Sequence, residues 1–306
     1  VSPMYQIGTI SVEVTTNGVD YSEDMVQYRY YASPAISHIV PSSGPTEGGT
    51  VVSVYGRNFI DSDSLYCRFG NDSTVVGRWV SSDRVECQTP SMVASNVVVE
   101  VTNNGFDYTA NRVEFTVLPE SVVTSVDPTF GPVGTSTSVT VHGSGFVFSR
   151  SLYCRFGLLS VAAMFVNDTM VVCSAPDAAQ GSVDVRVSSN GVDYSKTSAS
   201  YEYVDAHHVH DVLPRSGSTN GGTIVYVSGT GFKNTSNLYC RFGTLSAVHG
   251  VYISSTNVSC VSPMYQIGTI SVEVTTNGVD YSEDMVQYRY YASPAISHIV
   301  PSSGPT

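Results

Sequence analysis

The chain has 306 residues and a formal net charge of −12, and its only lysines are Lys196 and Lys233. A phosphate backbone is repelled by such a surface, so we expect no nucleic acid among the partners. With 42% hydrophobic and 13% charged residues the chain is too apolar for a disordered segment, and its composition is typical of an all-β protein. Neither a signal peptide nor an apolar run of membrane-spanning length is visible, so we expect no membrane segment here.

The two ends of the chain repeat each other. Residues 1–46 are identical to residues 261–306, which gives a true period of 260 residues. The chain therefore begins in the middle of a domain, and we interpret it as part of a longer array whose 260-residue unit is repeated. An artificially permuted chain is the alternative. On this interpretation residues 1–35 are the C-terminal part of a domain, and the absence of targeting signals is uninformative.

The first elements in chain order are a strand at 10–15, a turn at Asn17-Gly18 and a returning strand at 26–31. Alternation of apolar and polar residues predicts the strands. Asn-Gly is a strong signal for a two-residue type I′ hairpin, in which both residues take positive φ. The same signal recurs at Asn104-Gly105, Asn190-Gly191 and Asn277-Gly278.

Three copies of Leu-Tyr-Cys-Arg-Phe-Gly mark three domains, with the cysteine at positions 67, 154 and 240. Period-two alternation makes each copy a strand that ends at its glycine. In the first domain we predict further strands at 51–55, 75–80, 84–90, 97–101 and 114–117. The predicted domains are 36–120, 121–208 and 209–295, and residues 296–306 are predicted to open a further one. About seven strands per unit indicate immunoglobulin-like β-sandwiches, and short links favour an extended rod.

Six cysteines form three evenly placed pairs, each about twenty residues apart in sequence. No Cys-x-x-Cys knuckle or nearby histidine suggests metal ligation. The spacing favours disulfides within the domains, which imply an oxidising, extracytoplasmic location; buried free thiols in a reduced compartment are the alternative. The expected pairs are Cys67–Cys87, Cys154–Cys173 and Cys240–Cys260.

Five motifs in a fixed order resemble the IPT/TIG family of immunoglobulin-like domains. The first domain carries them as Pro-x-x-Gly-Pro-x-x-Gly-Gly-Thr at 41–50, Val-x-Gly-x-x-Phe at 54–59, Cys-Arg-Phe-Gly at 67–70, Cys-x-x-Pro at 87–90 and Asn-Asn-Gly-x-Asp-Tyr at 103–108. The second domain departs slightly, because Gly134-Thr135 lacks the doubled glycine. The resemblance implies the fold, but the family's functions include extracellular receptor and surface domains, dimerising domains of transcription factors, and accessory modules of carbohydrate enzymes. Paired cysteines and the acidic charge resemble the extracellular branch.

Catalysis finds little support in the sequence, and we expect neither an enzyme nor a cofactor. No histidine falls at an equivalent place in all three domains, and no nucleophile, base and orienting group converge. Residues 205–211, Asp-Ala-His-His-Val-His-Asp, resemble a metal-binding cluster, because three imidazoles and two carboxylates suit Zn²⁺ or Cu²⁺. We favour the alternative that His207, His208 and His210 are exposed in a link and first strand, so no metal site is predicted.

Two surface features remain. The Asn-x-Ser/Thr sequons Asn71, Asn167, Asn234 and Asn257 are candidate N-glycosylation sites. Each Cys-Arg-Phe-Gly strand also presents a tyrosine and an arginine on the face opposite its cysteine, and these pairs could contact sugar or a neighbouring domain. They are Tyr66 with Arg68, Tyr153 with Arg155, and Tyr239 with Arg241. The favoured alternative is that each arginine pairs with a hairpin aspartate, Asp20, Asp107 or Asp193.

Three functions of different class remain open. The first, which we favour, is a structural repeat of a long, glycosylated extracellular or cell-surface fibre, since a unit that contacts only its neighbours can be copied indefinitely. Its partners would be neighbouring copies of the repeat and covalent glycans. The second is the stalk or ligand-binding ectodomain of an adhesin or receptor. The third is an accessory module of a carbohydrate-active enzyme.

Overall fold

The computed structural model describes residues 6–71 and 73–305. Predictions that fall on residues 1–5, on Asp72 of the Asn71 sequon and on Thr306 lie outside these residues. The chain divides into two compact units, Val1–Glu120 and Ser121–Thr306. The described residues form strands and no helix, so none of their elements is a helix able to cross a membrane.

The first unit contains a two-stranded ribbon and one β-sandwich. The strands are β1 (Gly8–Val12), β2 (Val26–Tyr30), β3 (Ala35–Val40), β4 (Ser43–Pro45), β5 (Val51–Arg57), β6 (Tyr66–Phe69), β7 (Ser73–Val76), β8 (Arg78–Ser81), β9 (Arg84–Gln88), β10 (Ser95–Thr102) and β11 (Val113–Leu118). Among the described residues, strands β1 and β2 form a separate two-stranded sheet. The sandwich, domain 1, packs the sheet β3-β5-β9-β8 on the sheet β4-β11-β10-β6-β7.

The second unit contains domains 2 and 3. Domain 2 comprises β12 (Val122–Asp127), β13 (Phe130–Pro132), β14 (Ser138–Ser144), β15 (Tyr153–Phe156), β16 (Leu159–Asn167), β17 (Met170–Ser174), β18 (Gly181–Ser188) and β19 (Ala199–Val204). Domain 3 comprises β20 (His208–Leu213), β21 (Ser216–Ser218), β22 (Ile224–Thr230), β23 (Tyr239–Phe242), β24 (Val248–His249), β25 (Val251–Ser254), β26 (Asn257–Val261), β27 (Gly268–Thr275) and β28 (Val286–Tyr291). Domain 3 repeats the two sheets of domain 1, as β20-β22-β26-β25 and β21-β28-β27-β23-β24.

The all-β prediction of tandem immunoglobulin-like sandwiches is confirmed, with one difference in the fourth strand. The predicted strand at 75–80 is divided into β7, which pairs with β6, and β8, which pairs with β9 in the opposite sheet. The break falls at Gly77, where a Cβ atom would come within 3.0 Å of Val85. Domain 2 has Ala163 at this position, and there one continuous strand, β16, pairs with both sheets.

Alternating residues of the two sheets fill one core per domain. In domain 2 the core contains Val139, Val141, Cys154, Phe156 and Val171, all nearly or fully inaccessible to solvent. The glycine of Val-x-Gly-x-x-Phe lets the first two strands approach closely. A Cβ atom on Gly143 would lie 1.9 Å from the carbonyl oxygen of Val122, so no larger residue fits without moving the backbone.

Residues 296–305 form no strand, although the identical residues 36–45 form β3 and β4. In domain 1 those residues pair with β5 and β11. No equivalent partner strand follows in the described part of the chain, and an isolated edge segment has nothing to pair with. That residues 296–306 open a further domain therefore stays a prediction.

Candidate functional site

Each domain has a bonded pair of cysteines across its core. The pairs are Cys67–Cys87, Cys154–Cys173 and Cys240–Cys260, each with a Cα–Cα distance of 6.3 Å. All six side chains are buried. In domains 1 and 3 the bond joins the strand of the Cys-Arg-Phe-Gly motif to a strand of the opposite sheet. In domain 2 it joins β15 to β17, the two strands that pair with the two halves of β16.

The arginine of the Cys-Arg-Phe-Gly motif is covered by the tyrosine of the Asn-Gly loop. In domain 1 the guanidinium carbon of Arg68 lies 3.9 Å from the ring centroid of Tyr108. The equivalent stacks are Arg155 on Tyr194 and Arg241 on Tyr281. The prediction that these arginines pair with hairpin aspartates is wrong. The aspartate of the loop instead accepts a hydrogen bond from the asparagine of the same loop. The tyrosine that follows the aspartate is the residue that contacts the arginine.

The tyrosines next to these arginines, Tyr66, Tyr153 and Tyr239, are half-buried. Tyr239 packs edge-on against His249, with ring centroids 5.4 Å apart. The Tyr-x-Arg pairs therefore form part of the outer surface of each domain, and contact with sugar or another domain stays a prediction for them.

The Asn-Gly motif forms the same long loop in all four copies. Of the two residues of the motif only the glycine takes positive φ, 79° at Gly105, so the predicted type I′ turn is wrong. Residues 103–112 connect β10 to β11. The Asn104 Oδ1 atom accepts from the backbone N–H groups of Phe106 (3.0 Å) and Asp107 (2.9 Å), and its Nδ2 atom donates to Asp107 (2.8 Å). The side chain thus supplies the acceptor that holds the turn, as in an Asx-turn.

The loop of domain 3 contacts the end of domain 2 within the second unit. Asp280 Oδ2 accepts a hydrogen bond from Thr137 Oγ1 of domain 2 at 2.8 Å. Asn277 Nδ2 donates to the carbonyl oxygen of Phe130, also in domain 2, at 3.1 Å. Thr137 and Asn277 are buried, so these bonds are shielded from solvent.

A cation reinforces the contact between domains 2 and 3. Lys233 of domain 3 donates to Glu202 of domain 2 at 3.0 Å, and its Nζ atom lies 4.6 Å from the ring centroid of Phe130. We call Thr137, Phe130, Glu202, Lys233, Asn277 and Asp280 the junction contacts. Sequence reasoning missed this set. The available signal is the recurrence of Asn-Gly-x-Asp in every copy, which we interpret from sequence only as a hairpin whose aspartate pairs within its own domain.

The histidines of residues 205–211 do not converge on one point. His207 is buried and its Nε2 atom lies 2.7 Å from the carbonyl oxygen of Val274. His208 contacts Asp284 at 3.0 Å, and Asp211 pairs with Arg215. Within residues 6–71 and 73–305 no group of three or more His, Cys, Asp or Glu side chains is placed to hold a metal ion.

His207 makes the stability of the second unit depend on pH. Burial holds its pKa below the usual value of 6.5, and His208 acts in the same direction, whereas Val274, Asp280 and Asp284 oppose the shift. The unfolded chain therefore binds this proton at higher pH than the folded chain. The stability that neutral His207 contributes is therefore fully present above pH 6.5 and is lost as the pH falls through the lowered pKa of the folded state.

We therefore expect the melting temperature of the wild-type chain to fall between pH 7 and pH 5 more steeply than that of His207→Gln, which keeps a hydrogen-bond donor. Calorimetry at several pH values measures this. His210→Gln is the matched control, because His210 is exposed on β20. Equal slopes for wild type and His207→Gln would contradict the assignment.

All four sequon asparagines lie at or near the surface. Asn71 and Asn234 are exposed, whereas Asn167 and Asn257 are half-buried at strand ends. Asn167 Oδ1 accepts from the hydroxyl of Thr169, the third residue of its own sequon, at 2.8 Å. Glycopeptide mapping of native material is expected to find N-linked glycan at each of the four positions. Four unmodified asparagines would contradict the prediction.

Comparisons with known proteins agree with the domain pattern. The IPT/TIG domain profile matches residues 34–117, 121–203 and 208–290. Mouse fibrocystin-L is 27% identical over 292 residues, which covers 90% of this chain and 6% of fibrocystin-L. Plexin-2 of Caenorhabditis elegans is 24% identical over 283 residues, which covers 87% of this chain and 15% of that protein. The chain thus spans only a small part of these relatives.

Two solved structures also align with the chain, at lower identity. The full extracellular region of plexin A4 aligns with a TM-score of 0.48 at 17% identity, covering 89% of this chain and 26% of that one. The I9–I11 tandem of titin aligns with a TM-score of 0.24 at 8% identity, covering 83% of this chain and 96% of that one.

Proposed function

The chain belongs to the IPT/TIG domain family, and from that premise we propose that it is a structural segment of a long extracellular or cell-surface fibre. The observation that carries the proposal is the verbatim repeat, since residues 1–46 recur at 261–306. A domain that contacts only its neighbours in an array can be copied without redesign. A ligand-binding function, by contrast, requires only one suitable domain and gives no reason for an identical repeat.

The contact between domains 2 and 3 supports a fixed angle between neighbours. Only residues 205–207 separate β19 from β20, so the link has little slack. The Asn-Gly-x-Asp loop that makes the contact occurs in every domain copy. Buried hydrogen bonds at such a junction oppose bending, and stiffness is what a fibre requires.

Three bonded cysteine pairs and the extracellular character of the resembling domains support a location outside the cytoplasm. We further propose that the segment is non-catalytic. Supporting this, its three cores are filled by equivalent aliphatic and aromatic side chains, and its histidines lie at non-equivalent positions.

Electron microscopy of a protein containing several 260-residue periods tests the fibre. We expect stiff threads, single or bundled, whose structure repeats every three domains. Flexible beads without a preferred angle would contradict the fibre and favour the stalk or ligand-binding ectodomain. A catalytic carbohydrate-active domain in the same reading frame would instead favour the accessory-module function.

A further inference from the structure

Domain 2 departs from the other domains at one pair of facing residues. In domain 1 the motif arginine Arg68 lies opposite Glu100 in the strand register, and in domain 3 Arg241 lies opposite Glu273. In domain 2 the residue opposite Arg155 is Arg186. Two arginines therefore occupy opposed positions of the strand register where the other two domains have an ion pair.

The glutamates of domains 1 and 3 satisfy the arginine from the side. Arg68 Nε donates to Glu100 Oε2 at 2.8 Å, and Arg241 Nε donates to Glu273 Oε2 at 2.9 Å. The terminal nitrogen of each arginine contacts the same oxygen. In both domains a carboxylate thus binds the arginine at this surface position, while the guanidinium stacks on the loop tyrosine.

In domain 2 that carboxylate is missing. The buried Nε atom of Arg155 has no acceptor among residues 6–71 and 73–305, although its guanidinium still lies 4.0 Å from the Tyr194 ring centroid. Arg186 is turned away and donates to the carbonyl oxygens of Ser195 (2.8 Å) and Lys196 (2.7 Å). Like charges facing each other across strands are destabilising, and so is an orphaned buried donor. An incoming anion would relieve both.

We propose that Arg155 and Arg186 bind the carboxylate of an acidic sugar. The carboxylate pairs with Arg155 as Glu100 and Glu273 pair with the equivalent arginines, and it reaches Arg155 when the half-buried guanidinium turns toward solvent. The turn breaks no hydrogen bond at Nε. Tyr194 and Ser160, whose hydroxyls lie 2.8 Å apart beside the site, offer polar partners for sugar hydroxyls, and the tyrosine ring offers a face for the sugar.

A single acidic residue suits this site better than a polyanion. The chain carries a net charge of −12, and its other surfaces repel a long negative polymer. Asp184 also lies 3.5 Å from Arg186 and already offsets part of the positive charge at this site. The proposal is independent of whether the array forms a fibre.

Titration calorimetry and NMR of the full 306-residue chain with glucuronate test the site. We expect saturable binding with one site and a dissociation constant on the order of 1 mM, as for a small ligand of about a dozen heavy atoms. Glucose, which lacks the carboxylate, should bind at least tenfold more weakly. Absence of saturable glucuronate binding, or equal binding of glucose, would overturn the proposal.

Two variants test whether Arg155 and Arg186 are responsible for glucuronate binding. Arg186→Glu rebuilds the internal ion pair of the other domains, so we expect it to keep the fold and to weaken glucuronate binding at least tenfold. Arg150→Glu is the matched control, with the same charge change at an exposed position of domain 2, and it should leave binding within about twofold. Equal losses in both variants would show a net-charge effect and overturn the site.

Arg155→Gln serves as a second variant, because it removes the stacked cation without adding a charge. It too should abolish saturable binding, and retained binding would contradict the role of Arg155. The chain could instead self-associate at low salt, with Arg186→Glu abolishing the association and glucuronate having no effect on it. That result would identify the bound carboxylate as one from a second copy of the chain and would overturn the sugar assignment.

Discussion

Removing the Cys154–Cys173 bond is expected to lower the free energy of unfolding of domain 2 by about 3 kcal/mol, because the bond closes a loop of about twenty residues in the unfolded chain. Both sulfurs lie in the core beside Val139 and Phe156, so the cross-link is shielded from solvent and reductant. For a domain of this size the loss corresponds to a fall in melting temperature of roughly 10–20 °C.

The comparison of single and double variants distinguishes a bond from two buried thiols. If the cysteines are bonded, Cys154→Ala, Cys173→Ala and the double variant lose nearly the same stability, because one substitution already removes the bond. Free thiols in the core would give losses that add. Calorimetry of the three variants measures this, and thiol alkylation of the untreated protein is the independent check. Additive losses together with reactive thiols would contradict the disulfides and weaken the extracytoplasmic assignment.

The strands could be predicted because they depend on the alternation of neighbouring residues in sequence. Side chains alternate across a strand, so Cys67 and Phe69 had to share a face, and the cysteine of β9 had to return to it. These residues are indeed buried together in domain 1. Where the pattern is interrupted, local reasoning failed: at Gly77 the strand changes sheets, and the cause is the packing of Val85 and Leu65 against that backbone.

The Asn-Gly loop shows a different limit. The dipeptide alone predicts a two-residue turn in which both residues take positive φ, but here only the glycine of the Asn-Gly pair does so. The asparagine side chain instead organises a longer loop. Its aspartate then contacts another domain in the second unit. Thr137 and Asp280 are 143 positions apart in sequence. A contact at that separation leaves no periodic signal, so the junction contacts could not be deduced from spacing.

Two identical segments show how much burial depends on partners. Strands β1 and β2 have the same sequence as parts of β27 and β28. Val12 is 45% exposed whereas its copy Val272 is fully buried, and Tyr28 is 40% exposed whereas Tyr288 is fully buried. The same residues thus form the same hairpin in both places, but they form a core only where the opposite sheet is present. Local sequence specifies the pairing, and the rest of the domain specifies the packing.

These two copies provide a matched experiment on the junction contacts. Asp280→Ala is expected to weaken the docking of domains 2 and 3 by about 2 kcal/mol, the usual range for a shielded hydrogen bond to a charged group. The substitution removes the acceptor of Thr137 and of Asn277, and Thr137 is left buried without that partner. A loss of this size raises the undocked fraction roughly thirtyfold.

Nuclear relaxation measures the result directly, since docked domains tumble as one body and undocked domains tumble faster and separately. Asp20→Ala is the control: Asp20 lies in an identical loop and accepts from Asn17 there, but its side chain is exposed. Thr137→Val tests the other partner, and it should add little to Asp280→Ala because both remove the same bond. If Asp280→Ala leaves domains 2 and 3 tumbling together, this bond does not hold the junction. If the two domains separate while Asp20→Ala has no effect, the hydrogen bond of Asp280 is required for the docking of domains 2 and 3.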